Sequence, residues 1–115
     1  MEHLTPQQVA DWVNDSSLVP PVLLDVREPW EFDRVHITGS VPMPMSTLPS
    51  RLMEIEALQQ SSSDAAQAII CICHHGARSM QVAAFLEQQG LENIANMSGG
   101  VHAWSQQVDP AMPTY

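Results

Sequence analysis

The sequence contains no lysine. All four basic residues are arginines, against 13 acidic residues, and the formal net charge is −9. Without lysine, the chain cannot use a lysine Schiff base in catalysis. The strong negative charge repels the phosphate backbone of nucleic acids, so we expect no nucleic acid among the partners of this domain.

Cysteines are few and long apolar runs are missing. Only Cys71 and Cys73 are present, and their spacing is too tight for a stabilising disulfide. This usage predicts a cytoplasmic protein with a free reactive thiol. No apolar run approaches the roughly 18 residues of a membrane-spanning helix, and the N-terminus lacks the basic stretch of an export signal, so we expect no membrane association.

The length and composition predict one globular domain. The chain has 115 residues, of which 44% are apolar, enough for a continuous core. We assign residues 1–108 to this domain and the proline-containing residues 109–115 to a C-terminal tail. A second polar segment, residues 59–64, is predicted to be a loop.

Short apolar runs alternate with helical patterns along the chain. Four runs predict strands: Val22–Leu24 closed by Asp25, Ser40–Met43, Ala68–Ile72 and Ile94–Met97. Such alternation is typical of an α/β layer fold with a mostly parallel sheet.

Five helices are expected between and around these strands. The first is capped by Thr5 and Gln8, with an apolar stripe of Val9, Trp12 and Val13. A brief helix after Pro29 is predicted to place Trp30 and Phe32 in the core, and Thr47–Leu58 reads as an amphipathic helix. The last two carry the inward residues Val82, Ala83, Phe85 and Leu86, and Val101 and Trp104, respectively.

Cys73 directly follows the strongest strand signal in the sequence. In parallel sheets, functional sites form at the carboxyl ends of the strands. The segment from Cys73 to Ser79 must turn before the next helix, which leaves backbone N–H groups free to point inward and bind an anion. An ordinary cysteine has a pKa of about 8.5, which falls to roughly 3.5–7.5 at helix N-termini. The position therefore predicts an exposed thiolate at neutral pH that needs no dedicated general base.

Three segments of the chain, in order, resemble the rhodanese family. The first is Leu24–Phe32 (LDVREPWEF) followed by His36–Pro42 (HITGSVP), the second is the loop from Cys73 to Arg78, and the third is Gly99–Trp104 (GGVHAW). The resemblance covers nearly the whole chain.

The resemblance implies a rhodanese-like three-layer fold, a five-stranded mostly parallel sheet flanked by helices. It also implies a thiosulfate sulfurtransferase: Cys73 takes a sulfane sulfur from a donor such as thiosulfate, and a thiol or cyanide accepts it from the Cys73 persulfide. Related phosphatases use a loop of cysteine, five residues and arginine. The Cys73–Arg78 loop is one residue shorter, which favours sulfur over phosphate chemistry.

The predicted site is centred on catalytic Cys73. Its substrate-binding loop comprises His74, His75, Gly76, Ala77, Arg78 and Ser79, and its supporting charges are Asp25, Arg27 and Glu31. Either acidic residue could pair with either arginine. His36 is expected to hold a turn, and Cys71 to pack in the core.

Neither a metal nor another cofactor is expected. His74 and His75 are adjacent, cannot easily converge on one ion, and have no spaced ligand pair elsewhere in the sequence. We expect these two side chains to form the rim of the pocket instead.

Two alternative functions remain open from the sequence. A phosphatase or arsenate reductase could use the same cysteine and arginine loop, although this loop is one residue shorter than in the related phosphatases. A non-enzymatic module could use the fold to bind partners or sense oxidants, although such modules often lose the cysteine.

Overall fold

The structure is a computed structural model that describes residues 1–59 and 67–114. Five strands form one sheet in the order β1-β5-β4-β2-β3, and every neighbouring pair is parallel. The strands are β1 (Glu2–Leu4), β2 (Val22–Asp25), β3 (Val41–Pro42), β4 (Ile69–Ile72) and β5 (Ile94–Met97). The predicted fold class, a five-stranded parallel sheet flanked by helices, is confirmed.

Helices cover both faces of the sheet. They are α1 (Pro6–Asn14), α2 (Pro29–Arg34), α3 (Leu52–Gln59), α4 (Ala77–Gln88) and α5 (Gly100–Gln107), with a 3₁₀ helix at Met45–Arg51. The α1 helix begins with the predicted capping box, since the Thr5 hydroxyl accepts from the Gln8 amide and the Gln8 side chain accepts from the Thr5 amide.

The core divides into two layers because successive strand residues point to opposite faces. On one face, Ile69 and Cys71 of β4 pack with residues of α3 and α4. On the other face, Ile70 and Ile72 pack with α1 and α5. The central strand β4 is therefore buried on both sides, and its carboxyl end, which leads to Cys73, has a rigid base.

Four details differ from the sequence predictions. The N-terminal strand β1 was not predicted, and it adds the fifth strand by pairing with β5. Trp30 is 61% exposed rather than a core residue, because the short α2 helix buries Glu31 instead. Val13 is exposed as well. The predicted helix Thr47–Leu58 starts as a 3₁₀ helix that contains Pro49, which cannot donate a backbone hydrogen bond.

Two predictions concern the chain ends and loops. The loop predicted at residues 59–64 lies, apart from Gln59, outside the described residues. Within the predicted tail, Met112 packs against the core layer formed with α1 and α5, and the domain boundary at residue 108 stays a prediction.

In residues 1–59 and 67–114, none of the helices combines the length and the apolar character that crossing a bilayer requires. The cytoplasmic location stays a prediction.

Candidate active site

Cys73 lies at the carboxyl end of β4, in a four-residue loop that leads into α4. The backbone amide of Gly76 donates a hydrogen bond to the Cys73 Sγ atom, with a nitrogen–sulfur distance of 3.0 Å. This amide comes just before the first turn of α4, whose N–H groups have no partner within the helix. The predicted contact between the sulfur and an inward-facing amide is therefore present.

The sulfur is less accessible than the sequence suggested. Cys73 is only 1% exposed and belongs to the core layer on the α3 and α4 side, together with Cys71. The expectation of an exposed thiol is wrong, because the loop folds back against the sheet instead of projecting from it.

The first turn of α5 holds the loop from the other side. The Val101 amide donates to the Cys73 carbonyl at 2.9 Å, and the His102 amide donates to the His74 carbonyl at 3.1 Å. These helix N-terminal amides would otherwise lack partners. The carbonyls of the loop are thereby turned toward α5. Sequence reasoning placed no residue of α5 in the site, although Gly99-Gly100 after a strand that neighbours β4 is a signal for such a contact.

Two glycines permit this close packing. Gly76 has a φ of +108°, and a Cβ atom there would lie 3.0 Å from the Gly99 nitrogen. Gly100 has a φ of +61°, and its Cβ atom would overlap the carbonyl oxygens of Cys73 and His74. Only glycine adopts both this backbone and this proximity without strain.

Arg78 is bound to Glu31 by two parallel hydrogen bonds, 2.6 Å and 2.9 Å long. The Glu31 side chain is 5% exposed and that of Arg78 is 36% exposed. This bidentate geometry joins α2 to the start of α4. It decides the question that the sequence left open, since Glu31 is the acidic partner of Arg78.

Asp25 and Arg27 form a second, fully buried pair. Both oxygens of Asp25 accept from the Arg27 guanidinium, at distances of 2.8 Å and 2.9 Å. Arg27 also donates to the backbone carbonyls of Val35 and Glu31, at 2.7 Å and 3.4 Å. The pair thus connects the end of β2 to α2, the helix that carries the partner of Arg78.

The loop residues Ala77 and Ser79 differ in environment. The Ala77 side chain is exposed at the start of α4, whereas Ser79 is buried. The Ser79 hydroxyl lies 2.5 Å from the Asn96 side-chain oxygen and 3.1 Å from the Gly76 carbonyl. Ser79 therefore fastens the loop to β5.

His74 and His75 are joined by a third histidine, His102 of α5. The side-chain ligand atoms of the three lie within 4.8 Å of one another. Burial, and next the neighbouring His75, lower the pKa of the His74 imidazole. The contact between α5 and the loop places His102 beside these two histidines, a neighbour that their spacing in the sequence does not reveal.

His36 holds its turn as predicted, through a 2.8 Å contact between its Nδ1 atom and the Phe32 carbonyl. Cys71 is fully buried, and desolvation raises the pKa of its thiol to about 12. Its predicted core position is confirmed.

A cavity of about 320 Å³ lies away from this loop, between α1, the segment 36–38 and the end of α5. Its lining includes none of the predicted site residues and is largely apolar. We place the candidate site at the Cys73 loop instead, since the reactive thiol and its amide donor are there.

This geometry defines an α/β domain with a cysteine-centred site. Residues 5–107 match the family model of the rhodanese-like domain. The chain therefore belongs to the rhodanese-like domain family.

Individual relatives agree with this assignment. The chain is 33% identical over 84 residues to a sulfurtransferase of Allochromatium vinosum, covering 73% of this chain and 71% of that protein. It is 31% identical over 112 residues to the probable adenylyltransferase/sulfurtransferase MoeZ of Mycobacterium tuberculosis, covering 97% of this chain but only 26% of that protein. The chain thus spans about a quarter of that longer relative.

Among solved structures, a rhodanese-related protein from Thermoplasma volcanium superposes with a TM-score of 0.77 at 27% identity. The alignment covers 94% of each chain.

Proposed function

We propose that this chain is a sulfurtransferase that carries a sulfane sulfur on Cys73 as a persulfide. The observation that carries the proposal is the 3.0 Å hydrogen bond from the Gly76 amide to the Cys73 sulfur at the end of β4. An amide in this position stabilises the negative charge of the Cys73 thiolate. The sulfurtransferase names of the two relatives support transfer of sulfur in general.

The reaction proceeds in two balanced steps. The Cys73 thiolate attacks the outer sulfur of thiosulfate, an S–S bond forms to Cys73, and the S–S bond of the donor breaks to release sulfite with its electron pair. A thiolate or cyanide then attacks the outer sulfur of the Cys73 persulfide, and the product is a new persulfide or thiocyanate. Cys73 returns as thiolate, so no outside oxidant or reductant is needed.

The burial of Cys73 favours small donors. Because the residue is 1% exposed, only a slender terminal atom such as the outer sulfur of thiosulfate can approach the Sγ atom without moving the loop. The donor and the acceptor are expected to be a small sulfane compound and a thiol, respectively. We propose a cytoplasmic site of action, where such thiols stay reduced.

The position of Arg78 argues against a phosphatase. Both of its terminal nitrogens bind the Glu31 carboxylate, so the guanidinium is held in an ion pair that bridges two helices. A phosphatase needs its arginine to clamp the phosphoryl oxygens. The loop of four residues between Cys73 and Arg78 points the same way.

The test is turnover of thiosulfate and cyanide to thiocyanate by the purified chain. Activity is expected to disappear in Cys73→Ser and to persist in Cys71→Ser, the matched control two residues away. Equal activity of Cys73→Ser and the parent chain would refute the proposal. Hydrolysis of an aryl phosphate together with no thiocyanate would favour the phosphatase, and neither activity would favour the binding module.

A further inference from the structure

Three histidines meet beside the Cys73 loop, two on the loop and one on α5. The ring centroids of His74 and His75 are 4.1 Å apart, those of His75 and His102 are 4.9 Å apart, and those of His74 and His102 are 6.0 Å apart. One ligand atom from each lies within 4.8 Å of the other two. No step of the proposed sulfur transfer uses this cluster.

The backbone beneath the cluster is fixed. The His102 amide donates to the His74 carbonyl at 3.1 Å, so the two segments cannot drift apart. A tetrahedral zinc ion with Zn–N bonds of about 2.0–2.1 Å holds its nitrogen ligands about 3.3 Å from one another. The side chains need to close by at most about 1.5 Å to reach this spacing, which rotation about the side-chain bonds of histidine provides.

One nitrogen of the cluster gives independent support. The Nδ1 atom of His102 is buried and has no hydrogen-bond partner among the described residues. Buried polar atoms are normally satisfied, so an orphan of this kind points to an absent ligand. The net charge of −9 also attracts cations to the surface.

We propose that His74, His75 and His102 bind a divalent transition metal of the zinc class. Three imidazoles suit zinc, copper and nickel rather than magnesium or calcium, which require oxygen ligands. Three protein ligands leave a further coordination position open to water or to an anion. Cys73 is not a ligand, since its sulfur lies in the core layer and accepts the Gly76 amide.

The first experiment is a zinc titration of the chain without an affinity tag, in competition with a chromophoric chelator. We expect one ion per chain. The affinity should fall at least about tenfold in His102→Ala and in His75→Ala. His75 is exposed, so its replacement tests the site even if His102→Ala fails to fold. The matched control is His36→Ala, an exposed histidine outside the cluster, whose affinity should equal that of the parent.

Cobalt replaces zinc in the second measurement, because its visible spectrum reports the ligands. The parent chain and Cys73→Ser should give the same d–d bands without a sulfur-to-cobalt charge-transfer band. Binding that His75→Ala leaves unchanged, or that Cys73→Ser abolishes, would overturn the proposal. Since Cys73→Ser is inactive in sulfur transfer by design, metal binding and the proposed function fail independently.

Discussion

Replacing Asp25 by asparagine tests the buried ion pair that connects β2 to α2. Asparagine keeps the shape and one acceptor oxygen of aspartate, but it removes the negative charge. The Arg27 guanidinium, whose side chain is 0% exposed, then loses the negative charge of the carboxylate that it binds through two of its nitrogens. Breaking a pair of this kind destabilises a protein by about 3–5 kcal/mol.

The size of the effect follows from the length of the chain. Unfolding entropy is about 2.1 cal/mol/K per residue, so a chain of 115 residues loses about 4 °C of Tm for each 1 kcal/mol. Asp25→Asn should therefore lower Tm by roughly 12–20 °C. The underlying loss of about 3–5 kcal/mol is a large part of a total stability of about 5–15 kcal/mol.

Thermal unfolding followed by circular dichroism measures the effect. The control is Glu54→Gln, which breaks the exposed pair of Glu54 with Arg51 and should leave Tm within the error of the measurement. The double variant Asp25→Asn/Arg27→Met removes both charges and should recover part of the loss. A Tm loss below about 4 °C in Asp25→Asn would refute the reasoning.

Three further predictions concern the loop and the core. Gly100→Ala should reduce sulfur transfer at least about tenfold, because the added Cβ atom overlaps two loop carbonyls. The control Gly39→Ala also has a positive φ, but its added Cβ atom meets open space, so this variant should retain activity. Equal activities of the two variants would contradict the role of the close approach. Glu31→Gln should lower the free energy of unfolding by about 1–2 kcal/mol in chemical denaturation. The loss should be smaller than in Asp25→Asn, because Arg78 reaches solvent. A larger loss than in Asp25→Asn would contradict the prediction. Burial raises the pKa of the Cys71 thiol to about 12. Above a pH of about 9, the native state therefore keeps a proton that the unfolded chain loses. From there toward pH 12, the free energy of unfolding should fall by roughly 1.4 kcal/mol per pH unit. Cys71→Ala should lack this slope. If the stability of the parent chain and that of Cys71→Ala depend on pH in the same way, the slope does not come from Cys71.

The sequence was sufficient for the central strands and for the position of Cys73. The apolar run Ala68–Ile72 predicted the core strand, and the glycine after the two histidines predicted a turn before the next helix. Cys71 and Cys73 lie on the same face, as their spacing in an extended strand requires. Local patterns were informative here because strand, turn and helix follow one another directly.

Features that depend on distant segments were not predictable in the same way. Residues Glu2–Leu4 form a strand only because β5 offers its edge, and three residues are too few for a periodic pattern. The pairing of Arg78 with Glu31 depends on where α2 packs. His102 joins His74 and His75 only through the backbone contacts between α5 and the loop.

The burial of Cys73 has a similar origin. The position of a residue after a strand predicts the carboxyl edge of the sheet, but it does not predict how deeply the following loop folds back. That depth is set by Gly100, which allows α5 to approach the loop carbonyls. The sequence contains Gly100, but it does not reveal that the carbonyls of Cys73 and His74 lie next to this glycine.

The most direct test of the account is the intact mass of the protein after incubation with thiosulfate and removal of the excess, followed by peptide mapping. We expect a gain of one sulfur atom per chain, located on the peptide with Cys73, absent in Cys73→Ser and reversed by added cyanide. An unmodified mass with thiosulfate and with every other sulfane donor, in a folded protein, would contradict a persulfide on this cysteine.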